Sequence, residues 1–232
     1  MKPSPFIDLS ADRNKRWELL RTEIERWFDS LAPTDGYVAV DFGSISETLG
    51  LTVPQALLEW YAISGRREDI WSVQDELLPP DRLTVVDDYL VFCVENQAVV
   101  SWGIPVDRMA DLDPPVYVQS VDEPSSWLLE EDTLSLFALR WFVYCLKWSA
   151  RHYWMCGYFP SHAIQEMASR FPRLPFRETP WPGSRFYGYK DAIMEFDGSD
   201  HGYLTCLDQS DYETIRTQCI ELGFEENANW AT

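Results

Sequence analysis

Histidine is scarce in this chain: three residues, at 152, 162 and 201, among 232. None stands in an H-E-x-x-H or H-x-H arrangement, so the common zinc signatures are missing. Cysteine occurs five times, at 93, 145, 156, 206 and 219, without a C-x-x-C pair. An odd count at wide spacing argues against a disulfide framework and against a thiolate zinc site. Four of the five lie in apolar runs, where a thiol serves as a small hydrophobe. No P-loop, dinucleotide fingerprint or G-x-S-x-G elbow is present. The most apolar stretch, Leu134 to Trp148, is interrupted by Arg140 and Lys147, so no membrane span is expected. The opening MKPSPFIDLS lacks the apolar run of a signal peptide, which predicts a cytoplasmic chain.

Positive charge is also in short supply. Nineteen basic residues face thirty-eight acidic ones, for a net −19. Residues 41–135 hold nineteen acids and four bases, −15, and residues 191–232 hold ten acids and one base, −9. Residues 138–190 reverse the sign, with eight bases and two acids, +6. A surface of this kind repels nucleic acid and anionic lipid. It either steers a basic protein towards itself or serves solubility alone.

Aromatic residues are plentiful: eleven Trp, eleven Tyr and twelve Phe, 15% of the chain. Most recur at core spacings, as expected for a large aromatic interior. The pattern predicts one α+β domain over residues 1–232, a mostly antiparallel twisted sheet with helices packed against one face. Residues 12–31 read as an amphipathic helix through Trp17, Leu20, Ile24, Trp27, Phe28 and Leu31. Ser44 to Glu47 and Thr52 to Gln55 read as capping boxes, the second opening a helix that ends at Gly65. Ile70–Val73, Leu83–Val86, Tyr89–Val94, Val99–Ile104 and Val116–Val121 read as strands, with a hairpin turn at Glu95–Gln97. A long helix is expected from Asp132 to Arg151, a strand over Tyr153–Phe159 and a helix capped by Ser161. Pro172, Pro175, Pro180 and Pro182 mark a long exposed loop. A C-terminal hairpin and helix over 184–232 close the chain, with strands Ala192–Phe196 and Tyr203–Leu207, a capping box at Ser210–Glu213 and a stop at Gly223.

Catalytic chemistry is hard to find. The one local constellation, Asp197, Asp200 and His201, also has the composition of a hairpin turn. A glycosidase-like carboxylate pair needs only two acids in a cleft, and with this many acids a close pair arises by chance. Trp71, Trp127, Trp181 and Trp230 are candidates for an exposed sugar-stacking ring, against the plainer role of core or rim packing. No catalytic residue, metal or cofactor is predicted.

One stretch carries a family pattern. It runs Ile45-Ser-Glu47-Thr-Leu-Gly50-Leu-Thr-Val-Pro54 and continues Leu57-Leu-Glu-Trp60-Tyr61-Ala-Ile-Ser-Gly65. Leu90-Val-Phe-Cys-Val-Glu-Asn96, Val100-Ser-Trp102-Gly-Ile-Pro, Asp113-Pro-Pro-Val116 and Trp127 follow in order. Over residues 44–150 this resembles the SUKH superfamily, relatives of a yeast cell-wall-synthesis regulator. The chain departs in having Val53 before the proline and no glycine after Asn96. The resemblance implies an α+β fold and, for many bacterial members, an immunity protein that neutralises a polymorphic toxin domain without catalysis. It assigns Glu47, Gly50, Pro54, Tyr61, Gly65 and Trp102 to shaping the fold. The fungal relatives imply a regulatory scaffold as the alternative, and the exposed rings a glycan- or ligand-binding module.

Charge and resemblance together predict a basic, nuclease-like toxin domain as partner, with no direct nucleic-acid or membrane binding. The oligomeric state is left open. The acids expected to face the partner are Glu68, Asp69, Asp75, Glu76, Asp87, Asp88, Asp122, Glu123, Glu130, Glu131 and Asp132.

Overall fold

The computed structural model describes residues 3–43, 47, 49–121, 126–149, 151–180, 183–198 and 200–227. The protein is α+β, with six α-helices and two antiparallel sheets among these residues. Where chain length alone suggests one domain, the contacts divide into two compact units. One comprises residues 10–148; the other comprises residues 1–9 and 149–232. Each holds one sheet.

In the 10–148 unit, helix α1 (Arg13–Trp27) begins where the Asp12 carboxylate accepts from the Asn14 N–H at 2.9 Å. It buries Trp17, Leu20, Ile24 and Trp27 along one stripe. Helix α2 (Gln55–Ser64), the single turn α3 (Glu68–Trp71) and helix α4 (Leu134–Leu146) complete the helical side. The sheet comprises β1 (Glu76–Leu77), β2 (Thr84–Val86), β3 (Tyr89–Val94), β4 (Val100–Pro105), β5 (Val116–Ser120) and β6 (Leu128–Glu131). Its order is β1-β3-β4-β5-β6, with β2 also paired to β3. One face meets the helices through rings: Phe92 against Phe137 at 5.5 Å, Trp102 against Trp141 at 4.7 Å and Phe92 against Trp60 at 6.1 Å. All three pairs are edge-to-face, the arrangement the ring quadrupole favours.

In the second unit, β7 (Tyr153–Tyr158), β8 (Arg185–Tyr189), β9 (Ala192–Asp197), β10 (His201–Cys206) and β11 (Glu225–Glu226) form a sheet in the order β11-β7-β10-β9-β8. Helices α5 (Ser161–Arg170) and α6 (Gln209–Glu221) supply Ile164, Met167, Ile215 and Cys219 to a core with Met155, Met194, Phe196 and Leu204. Gly223, at φ +89°, ends α6 as expected. It adopts a left-handed conformation that residues with a Cβ rarely reach.

Several expected boundaries move. Helix α1 stops at Trp27, not residue 31, because Phe28 leaves helical geometry and the poor helix formers Asp29 and Ser30 follow. The Thr52 capping box does not form. Pro54 is the N-cap, without a side-chain bond, and a proline keeps the residue before it out of the α region. Gly65 takes right-handed helical angles, so it is not a left-handed stop. A Cβ there would lie 2.8 Å from the Tyr61 ring and 2.9 Å from Tyr37, so close packing requires the glycine. Ile70–Val73 is not a strand. Its first half is α3, pinned by the Trp71 indole N–H donating to the Ser64 carbonyl at 2.8 Å, so tertiary packing overrides β propensity.

Helix α4 is capped by Thr133 and ends at Leu146, short of Arg151. Pro160, not Ser161, precedes α5 as its N-cap. Asp208 caps α6 by accepting from the Asp211 N–H at 2.9 Å, which displaces the Ser210 box. The proline-marked segment is not a free loop, since Leu174 and Phe176 are buried and Leu174 N–H donates to the Phe186 carbonyl at 2.8 Å. The Ser44–Glu47 box involves positions outside the described residues.

Candidate functional site

The structure sorts nine of the eleven acids into three groups. Glu68, Asp87, Asp88 and Asp132 are exposed, and Asp69 and Glu76 are half-buried. Asp69 binds Arg67 at 2.7 Å and Glu76 binds Arg82 at 2.5 Å, so these two already have cations. Asp75, Glu130 and Glu131 are buried, which removes them from any partner-facing surface. Asp122 and Glu123 lie outside the described residues.

The buried three hold the fold together. Glu130 and Glu131 end strand β6 and both reach Arg140 of α4, Glu131 at 3.8 Å, with all three side chains 2–3% exposed. Asp75 accepts from the Tyr144 hydroxyl at 2.8 Å and from the Asn96 N–H at 3.3 Å, tying the β3–β4 turn to α4. Burial raises the Asp75 pKa, and the Tyr144 and Asn96 hydrogen bonds oppose that shift.

Of the exposed acids, Asp87 and Asp88 lie beside an aromatic patch on the sheet face turned away from the helices. Cross-strand partners share a face, so Val91, Gly103 and Tyr117 form one row across β3, β4 and β5. Trp127 stacks on Tyr89 with centroids 4.1 Å apart and planes 12° from parallel, and Tyr117 lies 5.5 Å from Tyr89. Gly103 makes room for this stack. A Cβ there would come within 3.0 Å of the Trp127 ring and 3.1 Å of Tyr89 Cβ.

On its other flank Tyr89 joins Asp87, Asp88, Pro105, Val106 and Asp107 in lining an open groove of about 480 Å³. The turn between β2 and β3 sets the groove wall. Asp87 and Asp88 both have positive φ, 48° and 64°, the geometry of a two-residue turn that follows strand twist. Gln119 Nε2 donates to Asp87 Oδ2 at 3.3 Å, and the Val106 N–H donates to the Asp88 carbonyl at 2.8 Å. Burial raises the Tyr89 pKa, with Tyr117 and Asp107 adding to the shift. The Tyr89 hydroxyl therefore stays neutral at physiological pH.

Asp107, Tyr89, Tyr117 and Gly103 were not singled out as site residues by sequence reasoning. A glycine inside a strand marks a close approach, and an Asp-Asp pair between two strands marks a turn. Those two signals together point here. Of the candidate sugar-stacking rings, Trp71 is 1% exposed and belongs to the core, Trp127 is half-buried in the stack, and Trp181 and Trp230 lie outside the described residues.

The family-pattern residues differ in their surroundings. Tyr61 is buried and donates its hydroxyl to the Leu78 carbonyl. Trp102 is 8% exposed, Gly50 has φ +64°, and Glu47 is exposed.

Among the described residues, no group of three His, Cys, Asp or Glu side chains is arranged to hold a metal ion. His201 begins β10, with Tyr158 at 5.3 Å and Tyr203 at 5.0 Å. All five cysteines are buried, and none is in a disulfide. Burial raises the pKa of Cys93, Cys145, Cys206 and Cys219, which makes them poor nucleophiles. No described helix is long and apolar enough to cross a membrane. No family model, curated protein or solved structure matches the chain.

Proposed function

We propose that this protein is a non-catalytic binding protein of the immunity type, which neutralises a basic toxin domain by occupying its cationic surface. One observation carries the reading. Residues 41–135 contain four bases, Arg66, Arg67, Arg82 and Arg108, and each is already ion-paired to a carboxylate of its own chain. Bases from outside the stretch reach Glu59, Asp113, Glu130 and Glu131, so most of its excess negative charge remains, with Glu68, Asp87, Asp88 and Asp107 exposed. A field of this sign accelerates encounter with a positive partner and disfavours nucleic acid. The SUKH-like pattern over 44–150 supports the same reading.

The test is co-expression with the toxin domain encoded beside it. Cells carrying both should survive and the two proteins should co-purify. Death of the doubly expressing cells, or no complex, defeats the proposal. Turnover of nucleic acid or polysaccharide by the chain alone would defeat it as well.

A further inference from the structure

We propose that the groove beside Tyr89 is the docking site for an extended, arginine-bearing segment of the basic partner, with a guanidinium seated between the Tyr89 wall and the carboxylates of Asp87, Asp88 and Asp107. The assignment rests on the binding reading above and adds the surface and the recognised group. Three features select this occupant.

The groove mixes an apolar lining, Tyr89, Pro105 and Val106, with three exposed carboxylates. A planar guanidinium uses both, because it stacks on an aromatic ring and donates paired hydrogen bonds to carboxylates. An ammonium, a compact and strongly hydrated point charge, exploits the apolar wall less well.

The groove is also pre-organised. Trp127 clamps the Tyr89 ring in a 4.1 Å stack, and Gly103 gives that stack its depth. The turn fixing Asp87 and Asp88 is held by the Val106 N–H and by Gln119. Tyr89 and Asp87 therefore have little side-chain freedom left to lose on binding, which favours affinity from a small contact.

Charge complementarity excludes the other macromolecular occupants. A nucleic acid or an anionic lipid headgroup meets three like charges here.

The experiment uses the full chain labelled with ¹⁵N. The probe is a synthetic twelve-residue peptide carrying two arginines in a neutral Ser/Thr/Gly background. Matched peptides carry lysine or the uncharged isostere citrulline. The Trp127 indole resonance, identified by its loss in Trp127→Phe, and the Tyr89 amide report binding.

Saturable shifts at both positions are expected, with the arginine peptide binding about tenfold tighter than the citrulline peptide and several-fold tighter than the lysine one. D87N/D88N/D107N should lose that preference while keeping its thermal midpoint. Equal binding of arginine and citrulline peptides, shifts confined to other acids, or unchanged affinity in the triple variant overturns the assignment. Toxin rescue is a separate readout. Rescue without movement at Trp127 removes this surface and leaves the binding function standing. Groove binding without any rescue retains the surface and removes the immunity reading.

Discussion

Arg140 of α4 and Glu130 of β6 form an ion pair in which the side chains are 3% and 2% exposed. Glu131 shares the same guanidinium from 3.8 Å, and the Arg140 guanidinium carbon lies 5.1 Å from the centroid of the Phe137 ring. One cation thus serves two buried carboxylates. Arg140→Met would leave both without it, and an uncompensated buried charge costs about 3–5 kcal/mol. The variant should therefore unfold at markedly lower urea. Replacing Glu130, Glu131 and Arg140 together by apolar residues of similar volume should recover most of that loss. If R140M unfolds like the parent, the ion pair has no role in stability.

Ala98 sits in the left-handed region at φ +58°, in the turn that lacks a glycine after Asn96. The turn is otherwise well bonded. Ala98 N–H donates to the Glu95 carbonyl at 2.8 Å, and the Gln97 N–H to the Glu95 carboxylate at 2.8 Å. A left-handed non-glycine residue carries about 1–2 kcal/mol of strain, and glycine gives back about 0.5–1 kcal/mol in chain entropy. Ala98→Gly should raise stability by about 0.5–1 kcal/mol in chemical denaturation. A destabilised variant would show that the turn is not strained.

Gly103→Ala tests the aromatic stack. The added methyl would lie 3.0–3.1 Å from Trp127 and Tyr89, so the indole must shift. Overpacking of this sort typically costs about 1–3 kcal/mol. Near-ultraviolet circular dichroism should change with it, and affinity for a basic partner should fall. An unchanged aromatic spectrum would mean that the stack tolerates a side chain at 103.

His152 gives a pH signature. Burial, with the neighbouring Arg151 charge adding, lowers its pKa from 6.5 to about 4. The unfolded chain then binds a proton more readily than the folded one. The contribution of this group to stability is complete above pH 6.5, is lost as pH falls from there to about 4, and does not change further below. His152→Gln should flatten that part of the stability curve. Urea midpoints at pH 7, 5.5 and 4 for both proteins would reveal it. Parallel curves would place the acid sensitivity on carboxylates instead.

Much of the architecture is readable in the sequence where pattern and packing agree. Tyr89–Val94 reads as a strand and is one, because six consecutive apolar residues flanked by turn signals fit a strand buried by helices above it. Ile70–Val73 misleads, because Trp71 finds a hydrogen bond and a ring partner that only a helical turn supplies. Leu128–Glu131 was invisible as a strand, since Leu-Leu-Glu-Glu carries no β-branched residue. That omission hid the burial of Glu130 and Glu131. Charge alone cannot tell an acid that faces solvent from one that pairs beneath a sheet; the strand placement decides it. The groove was half legible: Asp87 and Asp88 stood out by charge, while Asp107 and Tyr89 join them only through the β3–β4 register.

The burial pattern also divides the acids by their kinetic effect on partner binding. Exposed charges act mainly on association through long-range steering, which weakens as the Debye length falls from about 10 Å at 0.1 M salt to about 3 Å at 1 M. Replacing Glu68, Asp87, Asp88 and Asp132 by their amides should slow association with the proposed basic partner and flatten its salt dependence, with a smaller change in dissociation. Replacing Glu130 and Glu131 by Ser should act differently. Stability should fall, because Arg140 loses both carboxylates, and the association rate of the remaining folded fraction should be nearly unchanged. Surface kinetics at low and high salt, paired with denaturation of each variant, separates the two groups. If Glu130→Ser and Glu131→Ser slow association as much as the exposed set while leaving stability intact, these two carboxylates face the partner and their placement beneath the sheet is wrong.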